Sequence, residues 1–228
     1  MLDVLAVSPH PDDVELAMGG SLLLMKSEGL RVGILDLTNG EPTPQGSPEI
    51  RAREAACAAQ VLGLDLRITL DLPNRWLVDD KPARIKVAEV LREHEPPIVF
   101  LPYWVDSHPD HVAAAQLVVA AIFTARLTKD ETIHGRPYRA RKFCHYIATH
   151  MNISPSPSFS LDVSPFFERK MQVVSCYKSQ FGDTPLGSRV IPYVTAMARY
   201  WGAMIGVEYA EPFVTREEIG LKSLRDLL

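Results

Sequence analysis

A Rossmann-like α/β fold, with a mostly parallel sheet covered by helices on both faces, is predicted by three features of the sequence. Short, nearly continuous apolar runs of strand length alternate with longer segments whose apolar residues recur at helical spacing. Gly or Pro marks most of the switches between them. The 228 residues are 46% hydrophobic and 23% charged, the proportions of an ordinary globular protein, which excludes disorder and fibrous repeats. No repeat, low-complexity stretch or linker divides the chain, so residues 1–228 read as a single domain.

The elements follow in order. Residues 2–7 are apolar almost throughout, as a strand buried on both faces requires. After a polar loop, residues 14–28 carry helical periodicity and Gly29 ends it. Residues 31–37 are the second strand, 39–48 a Gly/Pro-rich loop, and 49–62 a helix closed by Gly63. A weaker third strand spans 66–70, and a helix spans 82–93. Pro96 and Pro97 introduce the fourth strand, 98–101, and 111–126 is a long Ala/Val-rich helix. This alternation implies parallel strands joined by right-handed crossovers. Beyond Arg126 the rhythm loosens. Residues 128–141 form a polar connection, 143–150 and 159–163 read as strands, and 164–177 and 190–205 as helices. Residues 212–228 form an amphipathic tail that could wrap the body or a partner.

Charge and cysteine content narrow the function. A net charge of −4 and a pI near 6.0 argue against nucleic-acid binding, which calls for a basic face. No apolar run approaches the ~20 residues of a membrane span. The start, MLDVLAVSPHPDD, has no basic segment of the kind that opens a secretory signal. Cys57, Cys144 and Cys176 are odd in number and form no CxxC spacing, which reads as reduced thiols in a cytoplasmic protein.

The chemistry is concentrated in two short clusters. Ser8-Pro9-His10-Pro11-Asp12-Asp13 directly follows the first strand, and Asp106-Ser107-His108-Pro109-Asp110-His111 follows the fourth. Twelve residues thus hold three of the seven histidines and four carboxylates. In a doubly wound sheet that starts in the middle, strands one and four are neighbours at the point where the winding reverses. Ligands bind beyond their carboxyl ends. Imidazole nitrogen plus carboxylate oxygen is the donor set of a catalytic zinc or ferrous ion. His10, Asp13 and His111 form such a set, leaving Asp12 and His108 as base and acid. Prolines at 9, 11 and 109 stiffen both loops. Against this, an Asp after a strand is commonly a helix N-cap, and Asp12, Asp13 or Asp110 could be only that. The two clusters together, at paired strand ends, favour chemistry.

Other residues carry less. His145 and His150 lie on an alternating segment and read as structural or surface groups, while His94 and His134 have no partner signal. Trp76 is either core or an aromatic stacking platform at the rim. Asp36 could meet a ligand or cap a turn.

The PHPDD run and the later HPDH resemble the LmbE/PIG-L family of metal-dependent N-acetylglucosaminyl deacetylases. The similarity continues through ILDLTNGEPTPQGSPEIRAREAACAAQVLG, DLPNR, SCYKSQF and GVEYAEPF, in matching order over most of the chain. It looks most like the bacterial branch that includes bacillithiol-pathway deacetylases, whose substrate is N-acetylglucosaminyl-malate. The resemblance implies His10, Asp13 and His111 as ligands of one divalent metal, Zn2+ ahead of Fe2+. It implies Asp12 as general base, His108 as oxyanion stabiliser, Asp110 as the group that orients His108, and Arg51 as a substrate contact. A tyrosine that some members use against the transition state would fall at Val190, with Tyr193 one helical turn on. A homo-oligomer, in the family often a hexamer, is implied as well. Two readings stand beside this one: a non-catalytic metal- or sugar-binding module, and an amidase acting on a thiol conjugate. Retention of both Asp12 and His108 beside the ligand set favours catalysis, because a binding module has no need of a spare base.

Overall fold

The computed structural model of the chain describes residues 1–148, 150, 151, 153 and 155–220. It folds the apolar runs into β1 (Val4–Ser8), β2 (Val32–Asp36), β3 (Leu66–Thr69), β4 (Ile98–Pro102), β5 (Lys142–Tyr146) and β6 (Phe159–Asp162). A further strand, β7 (Ala210–Val214), lies where the sequence suggests the start of a tail. The sheet order is β3-β2-β1-β4-β5-β7-β6. The first five strands are parallel, and β7 runs antiparallel to both β5 and β6. β1 lies between β2 and β4, so the expected switch point is present. Every residue of β1 and β2 is buried, which is why their sequences are apolar without alternation.

Helices α1 (Asp13–Ser27), α2 (Pro48–Leu62), α3 (Lys81–His94) and α4 (Pro109–Thr124) follow β1 to β4 in turn. Their boundaries agree with the periodicity to within about two residues. A 3-10 turn at Ser164–Phe166, then α5 (Phe167–Val174), α6 (Lys178–Phe181) and α7 (Gly187–Ile205), complete the helices. The periodicity predicts a single helix over 164–177, and the structure breaks it. Two apolar layers sandwich the sheet. One gathers around α3 and α4, with Val87, Leu91, Leu117 and Val118. The other gathers around α1, α2 and α5, with Met18, Leu22, Ala58 and Val173.

α1 is interrupted at Met18, whose φ of −140° is not helical. The break frees the amides of Gly20 and Ser21, and both donate to the buried Glu211 carboxylate of β7, at 3.0 and 2.6 Å. A side chain at Gly20 would meet Val163 Cβ at 2.8 Å, so the approach requires glycine. Lys170 of α5, itself 2% exposed, donates to the same carboxylate at 2.7 Å. Pro212 is tolerated inside the sheet because the β5 ladder stops at Tyr146↔Phe213, one residue before it.

The expectation of three reduced thiols is corrected. Cys57 of α2 and Cys176, just after α5, form a disulfide, and only Cys144 is free among the described residues. Their spacing of 119 residues gives no local signal. No described helix is long and apolar enough to cross a membrane.

Candidate active site

The loops leaving β1 and β4 meet at the switch point, and they bring the predicted groups of both clusters together. His10 Nδ1 lies 3.1 Å from Asp13 Oδ2, and His111 Nε2 lies 3.3 Å from the same oxygen. These separations match the edge of a tetrahedron whose metal bonds are about 2.0–2.1 Å. The three donor atoms fall within 4.8 Å of one another. His111 Nε2 is buried and makes no hydrogen bond, an orphaned donor atom that a cation would satisfy. The far nitrogens are each held by a carboxylate: His10 Nε2 by Asp110 at 3.0 Å, and His111 Nδ1 by Asp106 at 2.8 Å. A carboxylate behind each histidine fixes ring orientation and raises ligand basicity in metal sites. The donor set therefore fits a divalent metal.

None of the three carboxylates is a helix cap. Asp12 occupies the N-cap position of α1 but makes no capping bond. Asp13 Oδ2 accepts the His10 amide. The Asp110 carboxylate takes the backbone amides of Arg75 and Leu77, at 2.6 and 3.1 Å, and leaves the capping of α4 to His108.

That arrangement alters one expectation. Asp110 does not orient His108 through its carboxylate, which is engaged by His10 and the two amides. It meets His108 by donating its backbone N–H to Nδ1, at 3.2 Å. With Nδ1 accepting, the neutral ring carries its proton on Nε2. Burial, together with His10 and His111 nearby, pushes His108 down to about 4, which favours the neutral ring over the imidazolium. His10 and His111 go the other way. Burial opposes their charge, but Asp110 and Asp13 raise His10 to about 9, and Asp13 and Asp106 raise His111 to about 10.

Asp12 and Asp13 are adjacent and differ in environment. Asp13 sits among imidazoles that hold it well below the carboxylate range despite its burial. Burial and the charge of Asp13 push Asp12 up to about 7, against the pull of Arg51. Its backbone is strained, with φ at 127°, a conformation costly for a residue with a side chain and common at functional sites.

Arg51 is not open to solvent. Its side chain is 4% exposed, and Nη1 donates to Asp12 Oδ2 at 2.8 Å and to the Pro11 carbonyl at 3.2 Å, while Nε reaches Glu41 at 3.4 Å. Gly40, at φ 74°, lets the following loop close over it, since a Cβ there would stand 3.1 Å from Pro11 Cδ. Arg53, two residues on, is exposed. Asp36 is fully buried in a fork with Arg67, at 2.8 and 3.0 Å. Trp76 is 79% exposed, so it is not core. Val190 and Tyr193 both face a cavity of about 410 Å3 that begins at Asp13.

Two participants escape the sequence reading. Asp106 belongs to the second cluster, but the sequence assigns it no role there. His150, which reads as structural or surface, donates its backbone N–H to Asp106 Oδ1 at 3.0 Å, and its ring stands 4.9 Å from that of His111. The DSHPDH spacing holds the first signal. The second has none, because the loop after β5 brings it in.

The chain matches the family described as PIG-L: GlcNAc-PI de-N-acetylase over residues 5–122. A conserved protein of known structure from Thermus thermophilus is 44% identical, with a TM-score of 0.89 over 97% of each chain. Diacetylchitobiose deacetylase of Thermococcus kodakarensis is 28% identical over 221 residues, covering 91% of this chain and 80% of its own. A probable N-acetyl-alpha-D-glucosaminyl L-malate deacetylase 2 of Bacillus cereus is 28% identical over 199 residues, covering 78% and 83%.

Proposed function

Because the chain belongs to the PIG-L family of de-N-acetylases, we propose that it is a metal-dependent hydrolase that removes the acetyl group from an N-acetylglucosamine-containing small molecule. The observation that carries this is the pairing of a His10–Asp13–His111 donor set with an unligated, strained Asp12 beside it. The relatives named for diacetylchitobiose and for N-acetylglucosaminyl-malate support the substrate class.

His10 Nδ1, an Asp13 oxygen and His111 Nε2 would hold the metal, and their donor chemistry suits Zn2+ first and Fe2+ next. When bound, such an ion lowers the pKa of water and polarises the amide carbonyl. Asp12, poised near neutrality, takes the proton from the attacking water and returns it to the departing nitrogen. Arg51 is the positioning residue that holds Asp12 Oδ2 in place. His108, neutral, offers its Nε2–H to the oxygen where negative charge develops. Asp110 and Asp106 keep the two ligand imidazoles aimed.

The test is amine release from a panel of N-acetylglucosamine, diacetylchitobiose and N-acetylglucosaminyl-malate by protein reconstituted with one equivalent of Zn2+ or Fe2+. Cleavage of at least one, abolished by a chelator, is expected. No cleavage of any compound with either metal would overturn the reading.

A further inference from the structure

We propose that the cavity between α1 and α7 is an acyl pocket, fitting the enzyme to hydrolyse N-acyl groups longer than acetyl from its amino-sugar substrate. This deepens the deacylase reading above and rests on it. The argument starts from the proton path. Hydrolysis forms a bond from the water oxygen to the acyl carbon and breaks the C–N bond. The water protons end on nitrogen, leaving a carboxylate and an ammonium. Asp12 must reach both the water and the leaving nitrogen, so the nitrogen and the sugar it carries lie on Asp12's side of the site.

That side is polar. Arg51, Glu41 and Thr43 form a buried hydrogen-bonded network there, and Arg75 closes onto the Pro42 carbonyl. The acyl carbon's other substituent has to point away from it, past Asp13. Asp13, and not Asp12, borders the cavity of about 410 Å3. Its walls are Leu16 and Ala17 on α1 and Val190, Val194, Met197 and Trp201 on α7. Besides Asp13, its polar lining is Lys170, Glu211, Arg189 and the solvent-exposed Tyr193 and His150. The Glu211 carboxylate that borders the cavity is already satisfied by Gly20, by Ser21 through both its amide and its hydroxyl, and by Lys170. Arg189, which also borders it, is exposed to solvent. An apolar cavity of roughly 150 Å3 already accommodates benzene, so an acetyl methyl leaves most of this one empty.

The experiment compares N-acetyl-, N-butanoyl- and N-hexanoylglucosamine on the metal-loaded protein. A kcat/KM for the butanoyl compound within ten-fold of the acetyl compound is expected. Val194→Trp, which fills the cavity, should lower the butanoyl-to-acetyl ratio at least ten-fold. In protein stripped of metal, hexanoate should change tryptophan fluorescence where acetate does not, and Trp201→Phe should remove that change. Cleavage of the acetyl compound with a loss of a hundred-fold or more at butanoyl would overturn the acyl pocket and leave the deacetylase standing. An unchanged ratio in a folded Val194→Trp protein, or no hexanoate response, would also count against it. Hydrolysis of none of the three would overturn the deacylase reading and the pocket with it.

Discussion

The wall of the site that carries Asp12 and the wall that carries α7 come from different parts of the chain. The first is built from residues that follow β1, β2, β3 and β4, inside the stretch 5–122 that matches the family. It is a lattice of charged groups tied to one another and to backbone amides within about 3 Å, such as Arg51 on Asp12 and Asp110 on His10. The second is built from α5, α7 and β7. It is largely apolar where it faces the cavity, and its charges are the exposed Arg189 and the sealed Lys170–Glu211 pair. The chemistry depends on geometry held by many mutual contacts, whereas a specificity surface needs only shape and an absence of competing polar groups. The two walls should therefore respond differently to substitution.

The largest separation is expected from Asp12→Asn. It should keep bound metal and stability but lose roughly two to four orders of magnitude in kcat, the usual scale of general acid–base catalysis. Turnover near the parent rate would break the division of roles. On the other wall, Lys170→Met should leave the Asp12 lattice intact. It should cost about 3–5 kcal/mol of stability by stranding Glu211 in the interior, read as the denaturation midpoint. A loss confined to kcat would show that the pair belongs to the chemistry instead.

A pH experiment sharpens the same contrast. His145 on β5 is fully buried, and burial pushes it down to about 4 from an ordinary 6.5. Above pH 6.5 the ring is neutral both folded and unfolded. Between 6.5 and 4 only the unfolded chain takes up the proton, so stability falls as the pH drops, by up to about 3 kcal/mol. His145→Gln should flatten that acid limb in denaturant titrations, and an unchanged slope would reject the assignment. The smallest effect is expected from Asp110→Ala. Loss of the group behind His10 should weaken metal binding by roughly 10–100-fold without abolishing it, measured by chelator competition.

The same division explains what can be read in the sequence. β1 to β4 and α1 to α4 carry uniform local signals, apolar runs and one-sided helices, so their order and the switch point are directly legible. His10, Asp13 and His111 are legible because they sit in two compact clusters at the ends of neighbouring strands. Arg51 is found as a residue, but its partner is not, since nothing in the sequence shows that its guanidinium turns inward onto Asp12. β7 is missed because its AEPFV contains a carboxylate and a proline. Each is tolerated through a contact made elsewhere: Glu211 through the broken turn of α1, and Pro212 through the early end of the β5 ladder. The end of the expected tail, 221–228, lies outside the described residues.

The position of β7 has a consequence for biosynthesis. The strand enters the sheet between β5 and β6, which are both made before it. While residues 210–214 are still inside the ribosome, β6 has no neighbour, Lys170 has no counterion, and the amides released at Met18 have no acceptor. The strands up to β4 pair among themselves, β1 with β2 and with β4, and need no part of β7 to do so. The third of the protein around α7 closes only once residues 210–214 have emerged, in a step that joins a late strand to an early helix. This is the kind of long-range pairing that pays loop-closure entropy before it gains contacts. A nascent chain halted between α7 and β7 would leave the edges of β5 and β6 unpaired at once, the kind of exposed edge that invites aggregation.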